Sequence, residues 1–384
     1  MKIRISLIIF TIIPLQLIFG QGLSSIKRDT IYSEVLKEKR SYQLYLPPSY
    51  PNYTHSKKYP IVIVLDGDHL FQMAVANIDF YARTGKVPEA IVIGISNTRR
   101  TRDFTPTHSL VGYDGEEDQG LRESGGAKDF LRFLETELLD SLHHSYRTNN
   151  YQLLIGHSLA GLFGAYAYNQ ASSIDGYILI DPSLWWDDEQ EVRHMASLDS
   201  SVLAHKMIFV SGSGNFGLSR EMEHMRNGQE QFVLALKQHG LPHQHAKMKL
   251  YPDDNHGTVP LRSIIDGLEF IFDGYYIDEM KNRSAEEVIA SCKRFETQMG
   301  KEFPGLEGMI NWLGIRMVEA ENIEEGIKLL EMNQENYPDS WKANFQLAKA
   351  YQKLGKHDEA RKFMTLALDL NPENKAIKAE LEKN

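Results

Sequence analysis

Short apolar runs alternate with longer amphipathic segments over residues 30–272. Runs that are apolar throughout, such as residues 59–65 (YPIVIVL) and 90–95 (AIVIGI), are typical of strands covered on both faces of a sheet. Helical periodicity fills the intervals, most clearly in residues 127–142 and 221–239. Further strands are predicted at residues 42–46, 151–155, 177–180, 207–210 and 246–251. This alternation predicts an α/β fold, a mostly parallel sheet with helices on both faces, whose functional loops follow the carboxyl ends of the strands.

The pattern changes from residue 303 onward, where no strand-like run occurs and similar residues recur every 34 positions. Leu313 matches Leu347, and Gly326 matches Ala360. A period of about 34 residues is that of tetratricopeptide repeats, which are stacked helical hairpins. The segment resembles these repeats and predicts an all-α end that packs on the preceding part of the chain. A surface for a protein partner or for self-association on residues 303–384 is the alternative interpretation.

Composition and charge exclude several classes of protein. The chain is 42% hydrophobic and 24% charged, which is typical of globular domains. Its net charge of −10 argues against a nucleic-acid binder. The single Cys292 rules out an intrachain disulfide and a Cys-x-x-Cys site. The histidines at 239, 243 and 245 lie in a polar segment and are interpreted as solvated, so no metal or cofactor is expected.

The first 21 residues have the three parts of a secretory signal peptide. Lys2 and Arg4 are positive, residues 5–19 are almost all apolar, and residues 20–22 include two glycines. The apolar part is shorter than the roughly 20 residues that a transmembrane helix needs, although an uncleaved anchor is the alternative. The pattern therefore predicts a secreted or periplasmic protein.

The strongest candidate for chemistry is GHSLAG at residues 156–161, which follows a predicted strand and begins a helical stretch. A Gly-x-Ser-x-Gly pattern between a strand and a helix places a serine on a tight turn, with its hydroxyl exposed above the sheet. Ala160 takes the place of the last glycine here, and Gly161 follows it. Ser158 is therefore predicted to be a catalytic nucleophile.

A serine nucleophile needs a base, because its hydroxyl is not ionised near neutral pH. His256 lies in the loop after the last predicted strand, where the chain order serine, acid, histidine places the base. The acid is less well defined, since no carboxylate directly follows the strand before it. We prefer Glu221, with Glu223 and Asp181 as alternatives. A serine–histidine pair without an acid is also compatible with the sequence.

Other residues are predicted to complete the site. Gly67 and Asp68 follow an apolar strand, and their backbone N–H groups, with that of Leu159, are predicted to form an oxyanion hole. Arg102 and Trp185 are predicted to bind substrate, because a guanidinium suits carboxylates, phenolates and phosphates and an indole supplies an aromatic wall. A salt-bridged arginine and a tryptophan packed in the core are the alternatives.

These motifs resemble the putative esterase family of α/β-hydrolases, which includes esterase D, feruloyl esterases and enterobactin-type siderophore esterases. The resemblance covers residues 30–272 and rests on LDGD at 65–68, GISNTRRTRDFTP at 94–106, GHSLAG at 156–161, DPSLWW at 181–186 and NHGTVP at 255–260. It implies an α/β-hydrolase fold with Ser158 as nucleophile and His256 as base. Two departures are Ala160, where glycine is usual, and Asp181, where the siderophore branch usually has serine.

The sequence therefore predicts a signal peptide at 1–21, an α/β-hydrolase domain at 22–279 and a helical domain at 280–384. The predicted function is that of a serine carboxylic-ester hydrolase, which acts through an acyl-enzyme on a small-molecule or glycan-linked ester. An acyltransferase with the same acyl-enzyme is one alternative. The other is a non-catalytic binding protein that works through its tetratricopeptide-like end.

Overall fold

The computed structural model describes residues 26–52, 57–198, 206–214, 220–239, 245–277, 284–301, 303 and 307–382. The predicted signal peptide, His243 and the side chains of Glu221 and Glu223 lie outside the described residues. No helix within these described ranges is long and apolar enough to cross a membrane.

A sheet forms the centre of the larger part of the chain. Its strands are β1 (Ile26–Ser33), β2 (Glu38–Tyr45), β3 (Tyr59–Val64), β4 (Ile91–Ile95), β5 (Thr148–His157), β6 (Gly176–Ile180), β7 (Met207–Ser213) and β8 (Ala246–Tyr251). The order across the sheet is β1-β2-β4-β3-β5-β6-β7-β8. Strands β1 and β2 pair antiparallel, β2 is antiparallel to β4, and all later pairings are parallel. The predicted fold, a mostly parallel sheet with helices, is confirmed. Sequence analysis missed β1, because this edge strand is largely exposed and has no apolar run.

Helices follow most of the strands. They are α1 (Gly67–Arg83), α2 (Arg100–Phe104), α3 (Ala127–Phe133), α4 (Asp140–Ser145), α5 (Leu159–Asn169), α6 (Trp186–Ser197), α7 (Arg220–Gln238), α8 (Val259–Ile271), α9 (Ala285–Met299), α10 (Glu307–Glu319), α11 (Ile323–Asn336), α12 (Trp341–Lys353), α13 (His357–Leu370) and α14 (Lys375–Leu381). A π-helical turn over Leu134–Leu139 joins α3 to α4, so the predicted helix at 127–142 is one helical element with a widened middle.

The continuous apolar run of β3 is explained by burial on both faces of the sheet. Ile61 and Ile63 contribute to the core under α3, α5 and α7, whereas Val62 and Val64 contribute to the core under α1 and α8. Successive side chains of a strand point to opposite faces. A strand that is covered on both faces therefore needs apolar residues at every position, which is why its sequence signal was so clear.

The chain after α9 is a set of helical hairpins. Helix α10 packs on α11, and α12 packs on α13, as the 34-residue repeat predicted. Leu313 and Leu347, which occupy matching positions, are both buried. A Cβ atom on Gly326 would lie 2.6 Å from the carbonyl oxygen of Gly314, so the small residue at this position lets α10 and α11 approach closely. Trp312, on α10, is 42% exposed.

Helix α9 packs on both parts of the chain. Phe295 and Met299 join the sheet's core on the α8 side, and Phe303 packs its ring edge-on at 5.3 Å from Tyr151. Val288, nearer the N-terminal end of α9, contributes to the core of the helical end. The boundary predicted between residues 279 and 280 therefore separates the sheet from aromatic residues that complete its core.

A chain that ends after Glu279 is expected to melt at a lower temperature, and to be less soluble, than a chain that ends after Phe303. The shorter chain lacks Phe295, Met299 and Phe303, and each such buried side chain is worth about 1.5–3 kcal/mol of burial free energy. It also exposes the apolar surface around Tyr151 that these residues cover. Thermal melting and sedimentation of both chains check this expectation, and equal melting temperatures would contradict it.

Candidate active site

Ser158 lies on a tight turn between β5 and α5. Its backbone has φ 60° and ψ −121°, a positive φ that is uncommon for a residue other than glycine. Its N–H donates to the carbonyl oxygen of Ile180 at 3.0 Å, which ties the turn to the end of β6. Strained backbone of this kind clusters at functional sites. The turn has the form that the sequence motif predicted.

The small residues of the motif are explained by close packing around the turn. A Cβ atom on Gly156 would lie 2.3 Å from the carbonyl oxygen of Ala160, and one on Gly161 would lie 2.9 Å from Cβ of Pro182. Both positions therefore need glycine. Ala160 is fully buried, and its own Cβ is accommodated there. The departure from the usual glycine therefore leaves the turn intact.

His256 binds a buried carboxylate at the end of the neighbouring strand. Its Nδ1 lies 2.8 Å from Oδ2 of Asp181, which follows β6 and is fully buried. Asp181 also accepts hydrogen bonds from Ser213 Oγ at 2.7 Å and from Gln229 Nε2 at 2.9 Å. Burial alone would raise the pKa of Asp181, but the hydrogen bonds from His256, Ser213 and Gln229 outweigh it and hold that pKa below its usual value. Asp181 is therefore an ionised partner for the histidine at neutral pH.

This geometry favours Asp181 as the acid over Glu221, which we preferred from the sequence. The carboxylate that His256 contacts belongs to Asp181, which the sequence left as an alternative. Strand β6 neighbours β5, so the end of β6 lies directly beside the turn of Ser158. The end of β7, where the acid was expected, instead supplies Ser213, which donates two hydrogen bonds to Asp181.

The predicted oxyanion donors lie at the starts of two helices on neighbouring strands. Gly67 is the first residue of α1, and Leu159 is the first residue of α5. The first N–H groups of a helix have no partner within it. Leu65 N donates to Ile155 O at 3.0 Å, which places the ends of β3 and β5 side by side. A Cβ atom on Gly67 would lie 2.5 Å from the carbonyl carbon of Gly94, so this position also needs glycine. The oxyanion role of Gly67, Asp68 and Leu159 stays a prediction.

An arginine connects these two turns. The guanidinium of Arg100 binds Asp66 with two hydrogen bonds, Nε to Oδ1 at 2.7 Å and Nη2 to Oδ2 at 2.9 Å. The same Nη2 donates to the carbonyl oxygen of His157 at 3.3 Å. Asp66 has a left-handed backbone, with φ 51°, immediately before Gly67. Arg100 and Asp66 lie in segments that carried the family resemblance, at 94–106 and 65–68. Sequence analysis did not single out either one, because their pairing depends on two loops meeting.

Arg102, the predicted substrate-binding arginine, has a different role in the structure. Its guanidinium binds Glu38 through both terminal nitrogens and Asp103 through Nε at 2.8 Å. Asp103 is buried and also binds the buried Arg40 at 2.6 Å. Arg102 is therefore part of an ion-pair network that fixes α2 to β2, the salt-bridged alternative left open by the sequence.

The two adjacent tryptophans have different environments. Trp186 is fully buried, and its indole N–H donates to Thr107 Oγ1 at 3.1 Å, so it is the core residue of the pair. Trp185 is partly exposed, and its ring lies 6.3 Å from that of the exposed Tyr113. Ser183, two residues before Trp185, donates its N–H to Ser158 O at 3.1 Å. Trp185 and Tyr113 therefore form an aromatic surface joined to the Ser158 turn by a short stretch of chain, and Tyr113 had no sequence signal.

Of the histidines at 239, 243 and 245, His239 and His245 lie within the described residues. His239 Nε2 contacts the carbonyl oxygen of Met195 at 2.6 Å. No group of three or more His, Cys, Asp or Glu side chains among the described residues has the arrangement of a metal site.

Comparison with known proteins identifies two families. Residues 33–249 match the model of the family described as putative esterase, and residues 341–374 match the tetratricopeptide repeat. Both resemblances inferred from the sequence are thereby confirmed.

Individual relatives support the same assignment. The chain is 26% identical over 247 residues to the uncharacterised protein YbbA of Bacillus subtilis, covering 62% of this chain and 95% of YbbA. It is 29% identical over 179 residues to the ferri-bacillibactin esterase BesA of the same organism, covering 42% of this chain and 61% of BesA. Its fold matches an IroE-like serine hydrolase from Shewanella oneidensis with a TM-score of 0.70 at 26% identity, over 81% of this chain and 99% of that one.

Proposed function

Because the chain belongs to the putative esterase family and is a carboxylic ester hydrolase, we propose that it works through an acyl-enzyme on Ser158. His256 is the general base in this proposal, and Asp181 orients it. The observation that carries the proposal is the 2.8 Å contact between His256 Nδ1 and Asp181 Oδ2. This contact engages one ring nitrogen and leaves Nε2 to take and return a proton.

The proposed reaction has two steps, acylation of Ser158 and hydrolysis of the acyl-enzyme. Ser158 Oγ attacks the ester carbonyl carbon while His256 Nε2 accepts the hydroxyl proton. The tetrahedral oxyanion receives hydrogen bonds from backbone N–H groups of Leu159 and of Gly67 or Asp68, and each such donor is worth about 2.7–4 kcal/mol in other enzymes. The bond to the alcohol oxygen then breaks, and the alcohol leaves with the proton from His256. A water molecule then gives a proton to His256 and attacks the carbonyl carbon of the acyl-enzyme. The bond to Ser158 Oγ breaks, His256 returns the proton to that oxygen, and the carboxylic acid leaves.

The proposed substrate is an ester of the siderophore class with aromatic groups. Two relatives are named as esterases of ferri-bacillibactin and of enterobactin, which supports this class. The partly exposed ring of Trp185 and the exposed ring of Tyr113 supply an aromatic surface close in sequence to Ser183. Aromatic rings of a ligand gain stabilisation by offset or edge-on packing against such side chains.

A panel of esters tests the proposal. The purified protein is expected to hydrolyse an aryl acetate and to open a catecholate trilactone, with a higher kcat/KM for the trilactone than for a feruloyl ester or an acetylated sugar. A fluorophosphonate probe is expected to label Ser158. Labelling without trilactone hydrolysis would contradict the substrate class alone, whereas neither labelling nor hydrolysis of any ester would contradict the acyl-enzyme.

We also propose that the protein is exported and that residues 303–384 contact a protein partner. The leader-like pattern of residues 1–21 supports export. N-terminal sequencing of protein recovered from the periplasm or medium checks export, and an intact Met1 there would contradict cleavage.

The tetratricopeptide match and the exposed Trp312 support a contact surface on the helical end, which stays a prediction.

A further inference from the structure

His256 contacts a second histidine besides its carboxylate. The ring of His157 lies 4.4 Å from that of His256, centroid to centroid, with 37° between their planes. His157 is the last residue of β5 and pairs in register with Ile180, the residue before Asp181. His157 and Asp181, which both contact His256, therefore lie side by side at the ends of the hydrogen-bonded strands β5 and β6.

The ring of His157 is neutral at ordinary pH. Burial lowers its pKa to about 4, and the nearby His256 and Arg100 act in the same direction, against the opposite effect of Asp181 and Asp66. Its Nε2 is buried and has no hydrogen-bond partner in the described part of the chain. A buried polar atom without a partner costs about 1–3 kcal/mol. The ring is therefore not held in place by a hydrogen bond through Nε2. Instead it packs against the ring of His256.

The backbone beneath His157 is held from two sides. Arg100 donates to its carbonyl oxygen at 3.3 Å while binding Asp66 with two hydrogen bonds. The following residue, Ser158, donates its N–H to Ile180 O. The ring of His157 therefore projects from a fixed backbone at the end of β5, and its burial limits its movement.

We propose that His157 is a positioning residue, whose neutral ring sets the plane of the His256 ring and so the direction of its Nε2. The inference rests on the proposed function of His256 as base. A hydrogen bond to Asp181 fixes one atom of the imidazole but leaves the ring free to turn about that bond. The His256 side chain is 37% exposed, so solvent does not restrain that turning. Contact with this largely buried ring restricts that turning.

Two substitutions in the full-length protein test the role of the ring. His157→Ala is expected to lower kcat for an aryl ester by about 10- to 100-fold, the loss that follows a displacement of about 1 Å at a catalytic group. KM is expected to change little, because substrate contacts are not removed. His157→Phe keeps an aromatic face and is expected to restore most of the lost kcat. The rate constant of fluorophosphonate labelling at saturating probe should follow kcat in both variants.

The controls separate this inference from the function beneath it. Melting temperatures of both variants identify any loss that comes from unfolding. Wild-type kcat in His157→Ala would overturn the positioning role, and so would a folded His157→Phe that is as slow as His157→Ala. His256→Ala is measured alongside them. If that variant were fully active, the proposed base itself would be wrong, whereas an inactive His256→Ala beside a fully active His157→Ala would overturn only the role of His157.

Discussion

Replacement of Ser158 by alanine is expected to lower kcat for ester hydrolysis by about 10⁵- to 10⁶-fold, as in other serine hydrolases that lose the nucleophile. The change removes the only atom that can carry the acyl group in the proposed reaction. It should leave the fold intact, because the backbone hydrogen bond from residue 158 to Ile180 does not involve the hydroxyl. Steady-state hydrolysis of an aryl ester and labelling by a fluorophosphonate measure the loss.

Ser183→Ala is the matched control for this prediction. Ser183 is buried, and its Oγ lies 3.3 Å from that of Ser158. Its hydroxyl is therefore the alternative candidate for the nucleophile. Its loss is expected to reduce kcat far less than the loss of Ser158. Near-normal turnover in Ser158→Ala, or a Ser183→Ala variant that is equally inactive and unlabelled, would contradict Ser158 as the nucleophile.

Replacement of Asp181 by asparagine is expected to lower kcat by about 10⁴-fold, the loss seen when the acid of a serine–histidine–aspartate site becomes an amide. The amide cannot stabilise the imidazolium. Its NH₂ group would also favour the tautomer of His256 that carries its proton on Nε2, the nitrogen that must accept the serine proton. The side chain is similar in size, and with its NH₂ group toward His256 the amide oxygen still accepts from Gln229 Nε2, while the hydroxyl of Ser213 accepts instead of donating.

Glu221→Gln is the control that decides between the two acids. The sequence favoured Glu221, whereas the structure places Asp181 on His256. The Glu221→Gln variant is therefore expected to turn over aryl esters at the wild-type rate. If Glu221→Gln lost activity to the extent predicted for Asp181→Asn, and Asp181→Asn kept it, the assignment of the acid would be reversed. Melting temperatures of both variants show whether either loss reflects unfolding.

The sheet and the serine turn were predictable because their signals are local. A strand covered on both faces must be apolar throughout, and β3, β4 and β6 have that pattern within a few residues. The turn of Ser158 needs small residues next to it, and the close contact that requires glycine at 156 is with the carbonyl group of Ala160, four residues away. The helical end was predictable for a similar reason, since its repeat shows in the spacing of Leu313 and Leu347.

The roles of the acid, the arginines and the tryptophans were not predictable in this way, because they depend on contacts between distant parts of the chain. Asp181 and His256 are 75 positions apart. They meet because the loop after β8 reaches back across β7 to the end of β6. Arg100 and Arg102 are two residues apart, but one faces Asp66 and the other faces Glu38.

The fold class, the serine turn and the helical repeat can therefore be predicted from sequence alone, because short-range backbone geometry and burial dictate those residues. The folded chain is needed to show which carboxylate meets His256, which arginine lies beside the Ser158 turn and which tryptophan is in the core. Residues of the same chemical type a few positions apart have nearly the same sequence signal. Their roles differ because strand order and helix orientation point them in different directions.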